Sequence, residues 1–252
     1  MDGLEVPPYW HGGGGPPRFG VRATRPLVAG LVRAAWKVRV HDLWHVPSAG
    51  PVILASNHTG ILDGPLLCGV VRRPVHAVVK EEMFRGVGGV LRNLGQIAVD
   101  RQAVDRAAVR SALAVLDRGD VLAIYPEGAR CSGDFSTMRA GVAYLALCTG
   151  APVVPVACLG VRPRGGSVGA LPALRATLDV VFGQPQALEA IPWPRFKDVV
   201  QDRARWLQKW LAAHVRYACE VTGQRLPGGA STEPEPGAVA IARPSTDIED
   251  VS

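Results

Sequence analysis

Short apolar runs alternate with segments of helical period along this chain, and that alternation leaves few folds open. "PVILAS" (51–56), "VHAVVK" (75–80), "VLAIYP" (121–126), "APVVPVACLG" (151–160) and "ATLDVVFG" (176–183) read as strands. Between and after them, "PLLCGVV", "QAVDRAAVRSALAVLDRG", "MRAGVAYLALCTG" and the long "DVVQDRARWLQKWLAAHVRYACEV" place apolar residues at helical spacing. Strands that alternate with helices, and that are apolar on both faces, predict a mostly parallel sheet covered by helices. The expectation is one α/β domain, a mostly parallel mixed sheet flanked by helices.

At 252 residues and 48% hydrophobic content, the chain can bury a single sizeable core. Its charge is uneven. Beyond Leu226 five acids face one base, so the tail carries −4 of a total of +6, and the body holds the balance of +10. A basic body suits anionic partners such as phosphorylated substrates or a membrane surface. Nucleic acid is a weaker fit, because no reading helix or aromatic-rich motif is present. The five cysteines are scattered without a CxxC pair, which reads as reduced thiols without structural zinc. No apolar run reaches the roughly 18 residues of a membrane span. A peripheral protein at the cytoplasmic face of a membrane, with no transmembrane helix, is expected.

The predicted organisation is a flexible Gly/Pro-rich leader (1–20), a membrane-surface helix (21–46), a catalytic domain (47–225) and a disordered acidic tail (226–252). Residues 18–40 carry six bases and no acid. Leu27, Leu31, Ala34 and Val38 would share one helical face, with Arg33 and Lys37 on another. Trp36 would suit the headgroup boundary. This is the pattern of an amphipathic helix on an anionic surface.

Three turns that follow apolar runs hold candidate chemistry. In "SNHTGILDGP" (56–65), His58 and Asp63 stand five apart. A regular helix would point them about 140° from each other, but a turn leading into a helix can bring them together. They read as a general base and its orienting carboxylate, or as a helix start capped by Asp63. "YPEGARCSG" (125–133) follows a strand. There Gly128 permits close backbone approach and Arg130 offers a planar fork for phosphate. "GQIAVDR" (95–101) ends in an Asp–Arg pair.

Taken in order, these blocks and "VVPV" (153–156) resemble the glycerolipid acyltransferase family, which includes 1-acyl-sn-glycerol-3-phosphate acyltransferases. That family has N-H-x-x-x-x-D, G-x-I-x-x-D-R, P-E-G-T-R-S and V-V-P-V blocks, and the likeness covers roughly residues 45–185. This chain departs at Ala129, usually Thr, at Cys131, usually Ser, and at Ala98, where an aromatic is common. The first two departures remove side-chain hydroxyls.

The resemblance implies acyl transfer from a thioester, acyl-CoA or acyl-[acyl carrier protein], to the hydroxyl of a lysophospholipid. The most direct product is phosphatidic acid, formed from 1-acylglycerol 3-phosphate. His58 would be the base and Asp63 its orienter. Lys80, Arg101, Glu127, Gly128 and Arg130 are the candidate substrate-binding residues, with no metal and no bound cofactor. Two other readings compete. One is a lipid- or membrane-binding protein that keeps the fold without activity. The other is a serine hydrolase using Ser167 in "GGSVG", with Asp198 and His214 following in triad order.

Overall fold

The computed structural model describes residues 15–84, 88–100 and 105–228. Its centre is a seven-stranded sheet in the order β1-β7-β6-β2-β5-β3-β4. The strands are β1 (Lys37–His41), β2 (Val52–Ser56), β3 (Val75–Lys80), β4 (Ile97–Val99), β5 (Val121–Ile124), β6 (Val153–Leu159) and β7 (Thr177–Phe182). Every pairing is parallel except β6 with β7. The five expected strands all lie in this sheet. β1 and β4 join it at the two edges.

The helices are α1 (Arg18–Ala35), α2 (Asp63–Val70), α3 (Gly88–Asn93), α4 (Arg106–Asp117), α5 (Gly141–Thr149) and α6 (Lys197–Thr222). The period of two along β2 explains the layering. Ile53 and Ala55 join the core under α4, α5 and α6, while Val52 and Leu54 join the core under α1 and α2. β2 is buried at all five positions. Helices on both faces leave only the strand ends open to ligands, as the apolar runs predict.

The N-terminal expectations need correction. Residues 37–41 are not helical. Lys37, Arg39 and His41 alternate with Val38 and Val40, and this strand pairs with β7 from Lys37↔Thr177 to His41↔Val181. The domain therefore starts before residue 47, and the helix of 21–46 ends at Ala35. Val38 and Lys37 lie on β1 instead of on helical faces. Trp36 packs against the α1/α2 core and donates its indole N–H to the Pro172 carbonyl, 3.2 Å away, so it does not reach outward.

Within the leader of 1–20, residues 15–20 are tied down. Arg18 pairs with Asp120 at 2.6 Å, and Arg118 donates to the Pro16 carbonyl. In the tail of 226–252, Pro227 is buried and accepts from the Gly165 N–H. The remainder of both segments lies outside the described residues. α1 crosses α2 closely: a Cβ on Gly69 would meet Ala29 Cα at 3.2 Å. Among the described residues, no helix is long and apolar enough to cross a membrane.

Candidate active site

β2, β3, β5 and β6 run the same way, so the segments leaving their C-terminal ends converge on one edge of the sheet. His58 follows β2, Lys80 ends β3, Tyr125–Arg130 follow β5, and Gly160–Arg162 follow β6.

His58 Nδ1 lies 2.8 Å from Asp63 Oδ2. The same oxygen accepts the backbone N–H groups of Thr59 at 2.8 Å and Gly60 at 2.9 Å. Asp63 is the first residue of α2, and the N-cap, Leu62, makes no side-chain cap bond. The carboxylate thus holds the turn before the helix, and the capping role considered for Asp63 is not its role. A carboxylate only accepts, so Nδ1 carries the ring proton and Nε2 keeps its lone pair. Asp63 is fully buried, while the His58 side chain stays 11% exposed. Nε2 makes no hydrogen bond among the described residues and is the ring's open end.

Two residues that the sequence reading gave no role complete the base. Tyr125 stacks on the imidazole, with centroids 4.2 Å apart and planes 25° apart. Its phenol oxygen is buried without a partner among the described residues. Asn57 exchanges two hydrogen bonds with the backbone of Cys158, at 2.7 and 3.1 Å, continuing the β2–β6 pairing to the residue before His58. A strand-end polar residue followed by Asn-His was the available signal for Asn57. Tyr125 had none beyond its place after β5.

Glu127 is 7% exposed. Its oxygens accept the His58 N–H at 2.8 Å, the Phe135 N–H at 3.2 Å and the Cys131 S–H at 3.0 Å. These three bonds make Glu127 a tie between two loops. The Cys131 N–H closes the tie on the His58 carbonyl, at 2.9 Å. The Cys131 side chain faces Glu127, so the Ser-to-Cys departure keeps a donor at that carboxylate. Burial and the neighbouring carboxylate push the Cys131 thiol up to about 12, which makes it a poor nucleophile.

Gly128 adopts φ +75°, and a Cβ there would meet the Arg139 guanidinium at 2.6 Å. Arg130 leaves its buried Nε without a partner among the described residues. Lys80 pairs with Glu82 at 3.3 Å. His58, Asp63, Lys80, Glu127, Gly128 and Arg130 thus gather at one sheet edge. Arg101 lies outside the described residues. Among the described residues, no group of three His, Cys, Asp or Glu side chains could hold a metal ion.

The hydrolase arrangement is absent. Ser167 sits in an exposed loop with no strand leading in and no helix leading out, and His214 spends Nε2 on the Val181 carbonyl at 3.0 Å. The strained strand-to-helix elbow that exposes a serine nucleophile is not formed.

This chain resembles known proteins in sequence and in fold. The family described as Acyltransferase matches residues 37–159. A 1-acyl-sn-glycerol-3-phosphate acyltransferase of Bacillus subtilis is 26% identical over 151 residues, covering 59% of this chain and 73% of that protein. The human 1-acyl-sn-glycerol-3-phosphate acyltransferase beta is 32% identical over 130 residues, covering 48% of this chain and 45% of that one. The crystal structure of the 1-acyl-sn-glycerophosphate (LPA) acyltransferase PlsC from Thermotoga maritima shares the fold at TM-score 0.57. It is 21% identical, with 81% of this chain and 78% of that chain covered.

Proposed function

From a chain whose residues 37–159 match the acyltransferase family, we propose an enzyme that moves a fatty acyl group from a thioester to the free hydroxyl of a lysophospholipid. The acceptor that fits best is 1-acylglycerol 3-phosphate, and the product is then phosphatidic acid. The observation that carries this reading is the His58–Asp63 dyad, which leaves Nε2 without a hydrogen bond among the described residues, in a segment that leaves the same sheet edge as those bearing Lys80, Gly128 and Arg130.

His58 Nε2 takes the hydroxyl proton as the acceptor oxygen attacks the thioester carbonyl. Collapse of the adduct breaks the C–S bond, and the departing thiolate takes the proton back from the imidazolium. Asp63 keeps Nδ1–H in place and stabilises the transient cation. A phosphate held by Arg130 would fix the acceptor hydroxyl against the base. Such orientation converts an encounter into a near-intramolecular reaction.

A membrane surface is the proposed source of the lipid. α1 turns Phe19, Leu27 and Leu31 outward, at 83%, 63% and 62% exposure, beside Arg22 and Arg33. Trp44 is 76% exposed. Apolar side chains flanked by bases suit an anionic headgroup layer. Ile61 and Met83, exposed near His58 and Lys80, offer apolar contact for acyl tails.

The test is transfer of radiolabelled acyl groups from acyl-CoA and from acyl carrier protein to a panel of lysolipids, with wild type and His58→Ala in parallel. Transfer to a lysophospholipid by wild type, reduced on the order of 10² or more in the variant, supports the reading. No transfer from either donor would leave a lipid-binding protein without activity.

A further inference from the structure

Beside the His58 loop lies a second basic feature that acyl transfer to a phosphorylated acceptor does not use. A groove of about 450 Å³ opens between the end of β6, the start of β7 and the segment after α6. Arg162, Arg164 and Arg225 line it, with Gln224 and Pro172, and no carboxylate does. Arg162 is 4% exposed. It donates one bond, from Nη2 to the Cys131 carbonyl at 2.9 Å, while its Nε and Nη1 have no partner among the described residues. A buried guanidinium with two unpaired donors is costly unless an acceptor completes it. Asp179, the buried acid bonded to Gln224 of the groove lining, is taken by His41 at 2.8 Å and by Gln224 at 3.0 Å, and Glu127 is taken by His58, Phe135 and Cys131. Arg164 and Arg225 are exposed and have no ion-pair partner among the described residues.

We infer that this groove is a phosphate-binding site for the 3′-phosphonucleoside diphosphate of coenzyme A, and that acyl-CoA is the donor. The inference rests on the acyl-transfer reading above. Its ligand chemistry is phosphate ester, which could come from donor or acceptor, and position separates the two. The acceptor phosphate is a few bonds from the reacting hydroxyl, so it must lie close to His58. The groove stands behind the loop that carries Cys131, whose N–H bonds the His58 carbonyl on one side and whose C=O takes Arg162 on the other. A long pantetheine arm separates the phosphates of coenzyme A from its thioester, and such a donor needs an anionic site set back from the base. Several phosphates match three guanidinium groups. The volume is that of a small-molecule site, not of a protein surface contact.

The test uses the full chain, wild type and the Arg164→Gln/Arg225→Gln double variant, both of which alter exposed side chains only. Binding of adenosine 3′,5′-bisphosphate is measured by calorimetry. Kinetics are measured with acyl-CoA and with the acyl-pantetheine thioester, which lacks the nucleotide. We expect wild type to bind the bisphosphate and the variant to bind it about tenfold or more weakly, as loss of charge-assisted contacts requires. KM for acyl-CoA should rise by a similar factor. Turnover with acyl-pantetheine and KM for the lysolipid should not change. A rise in KM for the lysolipid alone would assign the groove to the acceptor headgroup and overturn the inference. Absence of bisphosphate binding by wild type would overturn it too. If wild type binds the bisphosphate but transfers no acyl group, the nucleotide site stands and the acyl-transfer reading falls.

Discussion

The backbone N–H of His58 donates to Glu127 Oε2 at 2.8 Å, across 69 positions of sequence. One buried carboxylate thereby sets the height of the base above the sheet from the neighbouring strand. The first and third sequence blocks act as one unit because β2 and β5 are paired neighbours, from Val52↔Val121 to Ala55↔Ile124.

Asp63→Asn should lower kcat on the order of 10²–10⁴ while leaving the fold intact. An amide oxygen in the place of Oδ2 can still accept from Thr59, Gly60 and Nδ1–H, but the negative charge that stabilises the imidazolium is lost. Steady-state kinetics with circular dichroism as the folding control would check this. Full activity in the variant would remove Asp63 from the mechanism.

Burial raises the Glu127 carboxyl above its usual 4.5, with hydrogen bonds from Cys131, His58 and Phe135 offsetting part of the rise. The folded chain therefore holds this proton more tightly than the unfolded one. The stabilisation is fully present below about pH 4.5 and is lost as pH rises through the raised value. Glu127→Gln has no such proton. Measured by urea unfolding, its stability relative to wild type should increase from about pH 4 to pH 7, on top of a constant offset for the lost acceptor. Parallel stability curves would show that Glu127 does not titrate differently on folding.

Cys131→Ser should keep activity within about threefold, since a hydroxyl also donates to Glu127. Cys131→Ala leaves that carboxylate one donor short and should cost about 1–3 kcal/mol of stability. With the thiol at about 12, iodoacetamide at pH 8 should modify Cys131 only after unfolding. Mass spectrometry of the labelled peptides decides it, and rapid labelling of the folded chain would contradict the buried, carboxylate-bound thiol.

Leu27→Glu/Leu31→Glu should weaken co-sedimentation with anionic vesicles by about tenfold or more, with an unchanged melting temperature. Both side chains are over 60% exposed, so the fold loses little by their replacement, whereas an interfacial helix loses two buried apolar groups and gains two repelled charges. Undiminished binding would move the membrane contact elsewhere, to Trp44 first.

The residue pattern alone determined the layered α/β architecture, because apolar runs of strand length and helical-period segments each have one face, or two, that must be buried. It also determined that His58 and Arg130 sit in turns after strands, since Gly, Pro and Asp punctuate the chain there. Edge strands were harder to read. β1 carries Lys37, Arg39 and His41 on its open side, and a basic, half-apolar segment of that kind looks the same as the end of an amphipathic helix until a partner strand claims its backbone. The roles of the site residues were decided only by the tertiary structure. Nothing in the linear motif says that Glu127 accepts the N–H groups of His58 and Phe135 and the thiol of Cys131. Arg162 and Tyr125 carry no local signature at all. Each acquires meaning from what the parallel sheet places beside it, a loop carbonyl for one and an imidazole face for the other. Sequence spacing cannot encode a contact between residues that meet only when separate strands end at the same edge.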